Sequence, residues 1–255
     1  MNPQNLTIKE IVYLLQKDAV TEEFLTACAS DRRDTVPLLA ERWRRKKRDE
    51  ARVAALYAFE DEAFREGFQL VAGVDEAGRG PLAGPVAAAA VILPRGLYLP
   101  RLNDSKKLTA GARKTLFKAI KANALAMAVK LVDAAEIDRI NIAAATRQAM
   151  YAAISALNPQ PDKVLIDAFP LNNLAVPFRA IVRGDTQSAS IAAASIVAKV
   201  TRDGIMEEYD RKYPEYGFAK HKGYGTLAHL AAIKKYGPSP IHRLTFAPLR
   251  QESPQ

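Results

Sequence analysis

The chain has 255 residues, 49% of them hydrophobic and 25% charged, and 37 Lys and Arg set against 28 Asp and Glu leave a net charge of +9. That length accommodates one α/β domain of roughly 180 residues plus a small extra unit, and the basic balance favours a polyanionic partner without proving one. The single cysteine, Cys28, excludes an intramolecular disulfide and a thiolate metal cluster. The opening residues lack a basic leader followed by a long apolar run, and no uncharged stretch approaches the roughly 20 residues of a membrane helix. The expectation is a soluble, cytoplasmic protein with no membrane contact.

Residues 1–69 read as a helical N-terminal unit. Thr7-Ile-Lys-Glu10 is a capping box ahead of Ile11, Val12, Leu14 and Leu15, and Thr21 caps a second short helix with Glu22 and Glu23 in its first turn. Pro37 suits the first turn of a long helix running to about Arg65, with Gly67 as its stop. Within it, Arg42-Trp-Arg-Arg-Lys-Lys-Arg48 is the densest basic run of the chain. It is either a substrate-binding surface or a solvated helix face, and the sequence leaves both open. Trp43 is expected to anchor a small helical core. Residues 1–70 carry a net charge of −1 and residues 71–255 carry +10, so the positive excess belongs to the second segment.

From residue 70 to 255 the pattern becomes α/β. Leu70–Val74, Val86–Leu93, Met127–Val132, Val164–Ile166 and Phe178–Val182 have the apolar or alternating character of strands. Ala135–Leu157, Ser188–Tyr209 and Thr226–Tyr236 have helical spacing. Three early strands followed by a helix, two strands and two helices predict a mixed five-stranded sheet flanked by helices.

Asp75 and Asp167 each end an apolar run, and Asp185 follows the fifth strand closely, so a sheet rim could collect all three, with Glu76 as a fourth acid. A lone acid after a strand is usually a turn or cap residue. A cluster of carboxylates, with no Cys or His nearby, repels itself unless cations neutralise it, and hard ions such as Mg²⁺ or Mn²⁺ suit it. Two such ions can activate water and stabilise the leaving oxygen of a phosphodiester.

These acids sit within longer motifs: Gly73-Val-Asp-Glu-Ala-Gly-Arg-Gly-Pro81, Asp104-Ser-Lys-Lys-Leu108, Leu165-Ile-Asp167, Arg183-Gly-Asp185, Ser190–Asp203 and Tyr216–Thr226. Six blocks in this order, spanning 70 to about 250, resemble bacterial ribonuclease HII. Residues 1–69 resemble the helical extension of some of its members. Asp167 is followed by Ala168 where many relatives carry glycine.

The resemblance implies a ribonuclease H-like fold and two-metal-ion catalysis with Mn²⁺ or Mg²⁺ held by Asp75, Glu76, Asp167 and Asp185. It also implies an endonuclease acting, as a monomer, on RNA/DNA hybrids and on ribonucleotide-containing duplex DNA. The cut would fall 5′ of the ribonucleotide and leave 3′-OH and 5′-phosphate ends, and the role implied is the removal of ribonucleotides from DNA. The Gly78-Arg79-Gly80 loop would meet the ribose 2′-OH, the group that separates RNA from DNA, and Tyr224 the sugar on its 3′ side. Plainer readings are a tight turn and a wall-packing tyrosine. Lys106, Lys107, Lys199 and Arg202 are candidates for phosphate contacts, and Ser195 for a residue beside the active site. The alternatives are a non-catalytic nucleic-acid-binding protein on the same fold, or ribonuclease HIII, whose last acid is a glutamate where this chain has Asp185.

Overall fold

The computed structural model describes residues 1–250; the last five residues of the expected second segment lie outside the described residues. The chain divides into two compact units, Met1–Ala54 and the remainder from Ala55.

In the first unit, α1 (Ile8–Gln16) opens with the expected capping box, Thr7 accepting from the Glu10 amide while Glu10 accepts from Thr7 N. The Thr21 hydroxyl caps α2 (Glu22–Ala29), and α3 (Thr35–Ala55) follows. Ile11, Leu15, Phe24, Leu25, Cys28, Val36 and Ala40 form the core, with Trp43 packed against it and its indole N–H donating to Asp18 at 3.0 Å. Four members of the basic run are matched by acids of the same unit. Arg44 pairs with Glu22, Lys46 with Glu50 at 3.3 Å, Lys47 with Asp18 and Glu50 at 2.5 and 2.9 Å, and Arg48 with Glu41 at 2.8 Å.

The single long helix expected to Arg65 is two helices: α3 ends at Ala55, and α4 (Ala58–Arg65) begins after a break at Leu56 and Tyr57. Composition alone drew the boundary after residue 69, but α4 packs with the second unit. Ala63 joins Val71, Leu165, Ile181 and Ile191 in one apolar cluster. Glu60, 1% exposed, accepts from Ser188 Oγ at 2.6 Å and Ser190 N at 2.8 Å.

The second unit is built on β1 (Val71–Ala77), β2 (Val86–Ile92), β3 (Ala126–Val132), β4 (Lys163–Asp167) and β5 (Phe178–Ile181), in the order β3-β2-β1-β4-β5. The first three pair antiparallel, whereas β1 with β4 and β4 with β5 are parallel. Before β3 lies α5 (Ala110–Asn123), a helix beyond those expected from the sequence. The expected helix after β3 is two, α6 (Ala134–Ile140) and α7 (Ile142–Ser155). They meet at Asn141, whose positive φ of 67° stops one helix and whose side chain caps the next. After β5 come α8 (Ala189–Lys212), α9 (Phe218–His221) and α10 (Leu227–Tyr236).

Strand periodicity assigns the faces. Ala72, Val74, Val164 and Ile166 belong to the core that includes α7 residues, while Val71 and Leu165 belong to the cluster that contains Ile191 of α8. β2 is buried along its whole length, its four alanines letting helices approach on both sides. At Gly73 the approach is closest: a Cβ there would lie 2.0 Å from the Ser190 carbonyl carbon. Only a residue without a side chain allows α8 this close to β1.

Candidate active site at the sheet rim

Register brings the acids together. Val74 pairs with Ile166 on the parallel strands β1 and β4, so the next residue on each is an aspartate, Asp75 beside Asp167. Both share the parity of Gly73 and Leu165 and so face α8. Asp185 arrives on a short 3-10 turn, Gly184–Thr186, after Arg183 in the left-handed region at φ 56°. The turn is tied to β4 by the Gly184 N–H, which donates to Asp167 Oδ1 at 2.6 Å. One carboxylate oxygen from each of Asp75, Asp167 and Asp185 lies within 4.8 Å of the others. Glu76, one residue on, starts from the opposite face and stands outside this trio, yet its charge still acts on Asp75.

The environment is hostile to bare carboxylates. Burial, then the charges of Glu76 and Asp167, push Asp75 well above the usual range, and burial raises Glu76 and Asp167 as well. Asp185 is pushed up to about 6 by burial, then by Asp104 and Asp167. Lys106, 4.0 Å from Asp185, offsets only part of this. Self-repelling acids with oxygen donors alone fit hard divalent cations, Mg²⁺ or Mn²⁺, which these residues would hold. A fifth acid, Asp104, also acts on Asp185. It lies in the Asp104–Leu108 motif, but that the loop brings it against Asp185 is a tertiary fact.

A cleft of about 590 Å³ is lined by Glu76, Gly78, Arg79, Gly80, Ser105, Lys106, Ser195, Lys199 and Tyr224, among others. The 78–80 loop and Tyr224 therefore line the same cleft. The Tyr224 ring stands against Gly80, 3.8 Å from where a Cβ would be, and the residue is 48% exposed rather than packed into a wall. Ser195, by contrast, is buried. It shares a 2.9 Å hydrogen bond with Ser105 Oγ and also bonds Asp75, so it orients an acid and has little freedom to meet a ligand. Lys107 is exposed but does not line the cleft.

Arg202 departs furthest from its expected role. It is 1% exposed, and its guanidinium donates to the carbonyls of Pro85 (2.8 Å), Lys222 (3.0 Å) and Ala83 (3.0 Å), which removes it from phosphate binding. It bridges the segments that carry the two sides of the cleft. Arg243, which lies outside every motif noted in the sequence, does similar work. Fully buried, it donates to the carbonyls of Gly78 (2.6 Å), Arg79 (2.9 Å) and Gly84 (2.8 and 3.0 Å). Because a trans peptide points its N–H opposite to its C=O, the amides of Arg79 and Gly80 are turned away from Arg243.

Next to this cleft, and sharing Lys199 and Tyr224 with it, is a larger groove of about 820 Å³ between α5, α8 and the α9 region. Lys114, Lys118, Lys121 and Lys220 line it, together with Lys199 (paired with Asp203) and Lys222 (paired with Glu207). Among the described residues no helix is long and apolar enough to cross a membrane.

Residues 72–249 match the family model for ribonuclease HII, and residues 7–63 match that for the ribonuclease HII N-terminal domain. A ribonuclease HII of Ruminiclostridium cellulolyticum is 50% identical, covering 94% of this chain and 96% of its own. That of Geobacillus kaustophilus is 49% identical, over 96% and 95%. Among solved structures, the ribonuclease H2 of Pyrococcus horikoshii has 29% identity and a TM-score of 0.61, over 71% of this chain and 96% of that one. The RNase HII of Archaeoglobus fulgidus, solved as a complex with PCNA, has 25% identity and a TM-score of 0.58, over 72% and 98%.

Proposed function

The chain belongs to the ribonuclease HII family and is a ribonuclease H-type endonuclease, and we propose that it cuts the RNA strand of RNA/DNA hybrids and 5′ of single ribonucleotides embedded in duplex DNA, leaving 3′-OH and 5′-phosphate ends. The observation that carries this reading is the meeting of Asp75, Asp167 and Asp185 within 4.8 Å, beside a cleft whose walls are the 78–80 loop and Tyr224. Two bound Mg²⁺ or Mn²⁺ ions would supply activation of the attacking water and stabilisation of the leaving oxygen. Asp75, Asp167 and Asp185 would hold them, with Glu76 at the cleft edge, and Ser195 would orient Asp75.

On the substrate side, the amides of Arg79 and Gly80 are free of Arg243 and able to meet a ribose 2′-OH, with the Tyr224 ring against the neighbouring sugar. Lys106 and Lys199 line the cleft, which supports a role for them in contacting the phosphates beside the scissile bond, and the basic groove would continue that track. All of these groups come from one chain, so a monomer suffices. In residues 1–54, the matched basic run supports a modest share of substrate binding, through Arg42 and Arg45, which have no ion-pair partner among the described residues.

The test is cleavage of an end-labelled duplex containing one ribonucleotide, with Mg²⁺ or Mn²⁺, by the wild type and by Asp75→Asn and Asp167→Asn. The wild type should cut 5′ of the ribonucleotide, and each variant should bind the duplex normally while losing at least roughly a thousandfold in rate, about 4 kcal/mol. Turnover near the wild-type rate by either variant would rule out the assignment.

A further inference from the structure

All three histidines of the chain lie together beneath the loop that carries Tyr224, and the proposed chemistry uses none of them. His229 and His242 are buried among Tyr216 and Phe218, and His221 stacks on His229 with ring centroids 4.3 Å apart. The hydrogen bonds run in one line. His229 Nδ1 lies 2.9 Å from the Tyr224 carbonyl, His229 Nε2 lies 3.0 Å from His242 Nε2, and the Ser239 backbone N–H donates to His242 Nδ1 at 2.8 Å.

One arrangement of protons satisfies that line best. A carbonyl only accepts, so His229 Nδ1 carries a hydrogen. The Ser239 N–H only donates, and the Ser239 hydroxyl, also 2.8 Å from His242 Nδ1, can donate, so His242 Nδ1 carries none and the more distant Ser239 carbonyl, at 3.3 Å, receives nothing from it. With both rings neutral, His242 Nε2–H must donate to the bare Nε2 of His229. Burial favours the neutral rings, holding His229 below the usual histidine range and His242 at about 4.

The loop at the end of this line turns tightly, its Gly223 carbonyl accepting from the Leu82 N–H at 2.8 Å. Tyr224 stands between two glycines, after Lys222 at φ 51° and Gly223 at φ 86°, and a Cβ on Gly223 would come within 2.4 Å of the Ala83 carbonyl oxygen. His221 secures the near side, its Nδ1 accepting from the Gly223 N–H at 3.2 Å and its carbonyl from the Tyr224 N–H at 2.9 Å. The far side, the Tyr224 carbonyl, is held by Thr226 N and by His229.

We propose that His229 and His242 are positioning residues that lock the Tyr224 main chain, and so place its exposed ring against the sugar beside the cleavage site. This rests on the role given to Tyr224 above, and the experiment separates the two. On a duplex with one ribonucleotide, His229→Leu should lower kcat/KM roughly tenfold while leaving affinity for all-DNA duplex unchanged. His229→Asn, whose amide can sit where Nδ1 sits and donate to the same carbonyl, should recover most of the loss. In a Tyr224→Ala background, His229→Leu should cost nothing further, because both changes remove one effect. Additive losses would overturn the proposal, as would a slow Tyr224→Ala beside a fast His229→Leu. A Tyr224→Ala that cleaves at the wild-type rate would instead sink the reading of Tyr224 and this inference with it. If His229→Leu does not fold, nitrogen-15 spectra of the wild-type imidazoles decide. The proposal requires His229 protonated on Nδ1 and His242 on Nε2, and either ring in the other tautomer overturns it.

Discussion

Replacing Asp185 with asparagine removes one charge from the acid cluster and keeps the shape of the side chain. Without metal, burial and the neighbouring Asp104 and Asp167 raise the Asp185 carboxyl from 3.8 to about 6, a preference for the protonated form of about 3 kcal/mol. The folded chain therefore holds this proton more tightly than the unfolded chain does. Below about pH 4 both states are protonated and the group is neutral in its effect; as pH rises through 6, ionisation costs the fold up to about 3 kcal/mol. Asp185→Asn escapes that cost. In the presence of a chelator it should melt with the wild type near pH 4 but about 6–12 °C higher at pH 7.5, at 2–4 °C per kcal/mol for a unit of this size. Adding Mn²⁺ should reverse the order, because the wild type gains the stabilisation of bound ligand and the variant has lost a carboxylate. Calorimetry at both pH values, with and without chelator, reads all of this. A variant less stable than wild type at pH 7.5 in chelator would refute the premise that these acids strain the metal-free fold.

Tyr224→Ala should lower kcat/KM on a single-ribonucleotide duplex at least roughly tenfold, about 1.4 kcal/mol, with Tyr224→Phe milder if ring contact dominates; unchanged kinetics of the alanine variant would dismiss the loop from recognition. Removing residues 1–54 should leave a folded catalytic unit, and because Arg44, Lys46, Lys47 and Arg48 are already paired, the dependence of KM on salt should flatten by no more than about two phosphate contacts. Removing residues 1–69 should be far more damaging, since it strips Glu60 from the start of α8 and Ala63 from the core; equal melting temperatures for the two truncations would contradict the boundary at Ala54. Ala168 holds φ at 47° between Asp167 and Phe169, so Ala168→Gly should stabilise the fold by up to about 1 kcal/mol, and a fall in melting temperature would show that the turn carries no strain.

Much of the site was legible because its chemistry and its fold share a signal. The apolar runs that announce β1 and β4 end on Asp75 and Asp167, so locating the strands also located two of the acids. The Thr7 and Thr21 caps were equally readable, being contacts within one turn of helix. What escaped was decided across the fold. An arginine in the sequence of α8 offers no sign that it points into the protein, and Arg202 does so because the 83–85 and 222 carbonyls converge there. Arg243 is likewise defined by carbonyls more than 150 residues away. The break between α3 and α4 was hidden because residues 54–58, AALYA, hold neither Gly nor Pro, and the helix between Asp133 and Ser155 divides at an asparagine that only the backbone shows to be left-handed.

The close approach at Gly73 makes the catalytic rim depend on an absent atom. Asp75 lies two residues along the strand from that glycine, and Ser195, its hydrogen-bonding neighbour, lies five residues along the helix from Ser190. The spacing between strand and helix is thus a gauge set some distance from the acids and read out at them. A single methyl group introduced at position 73 would wedge the two elements apart. The chemistry would then fail with every catalytic residue still in place, because the tolerance of the site is inherited from a packing contact that touches no substrate.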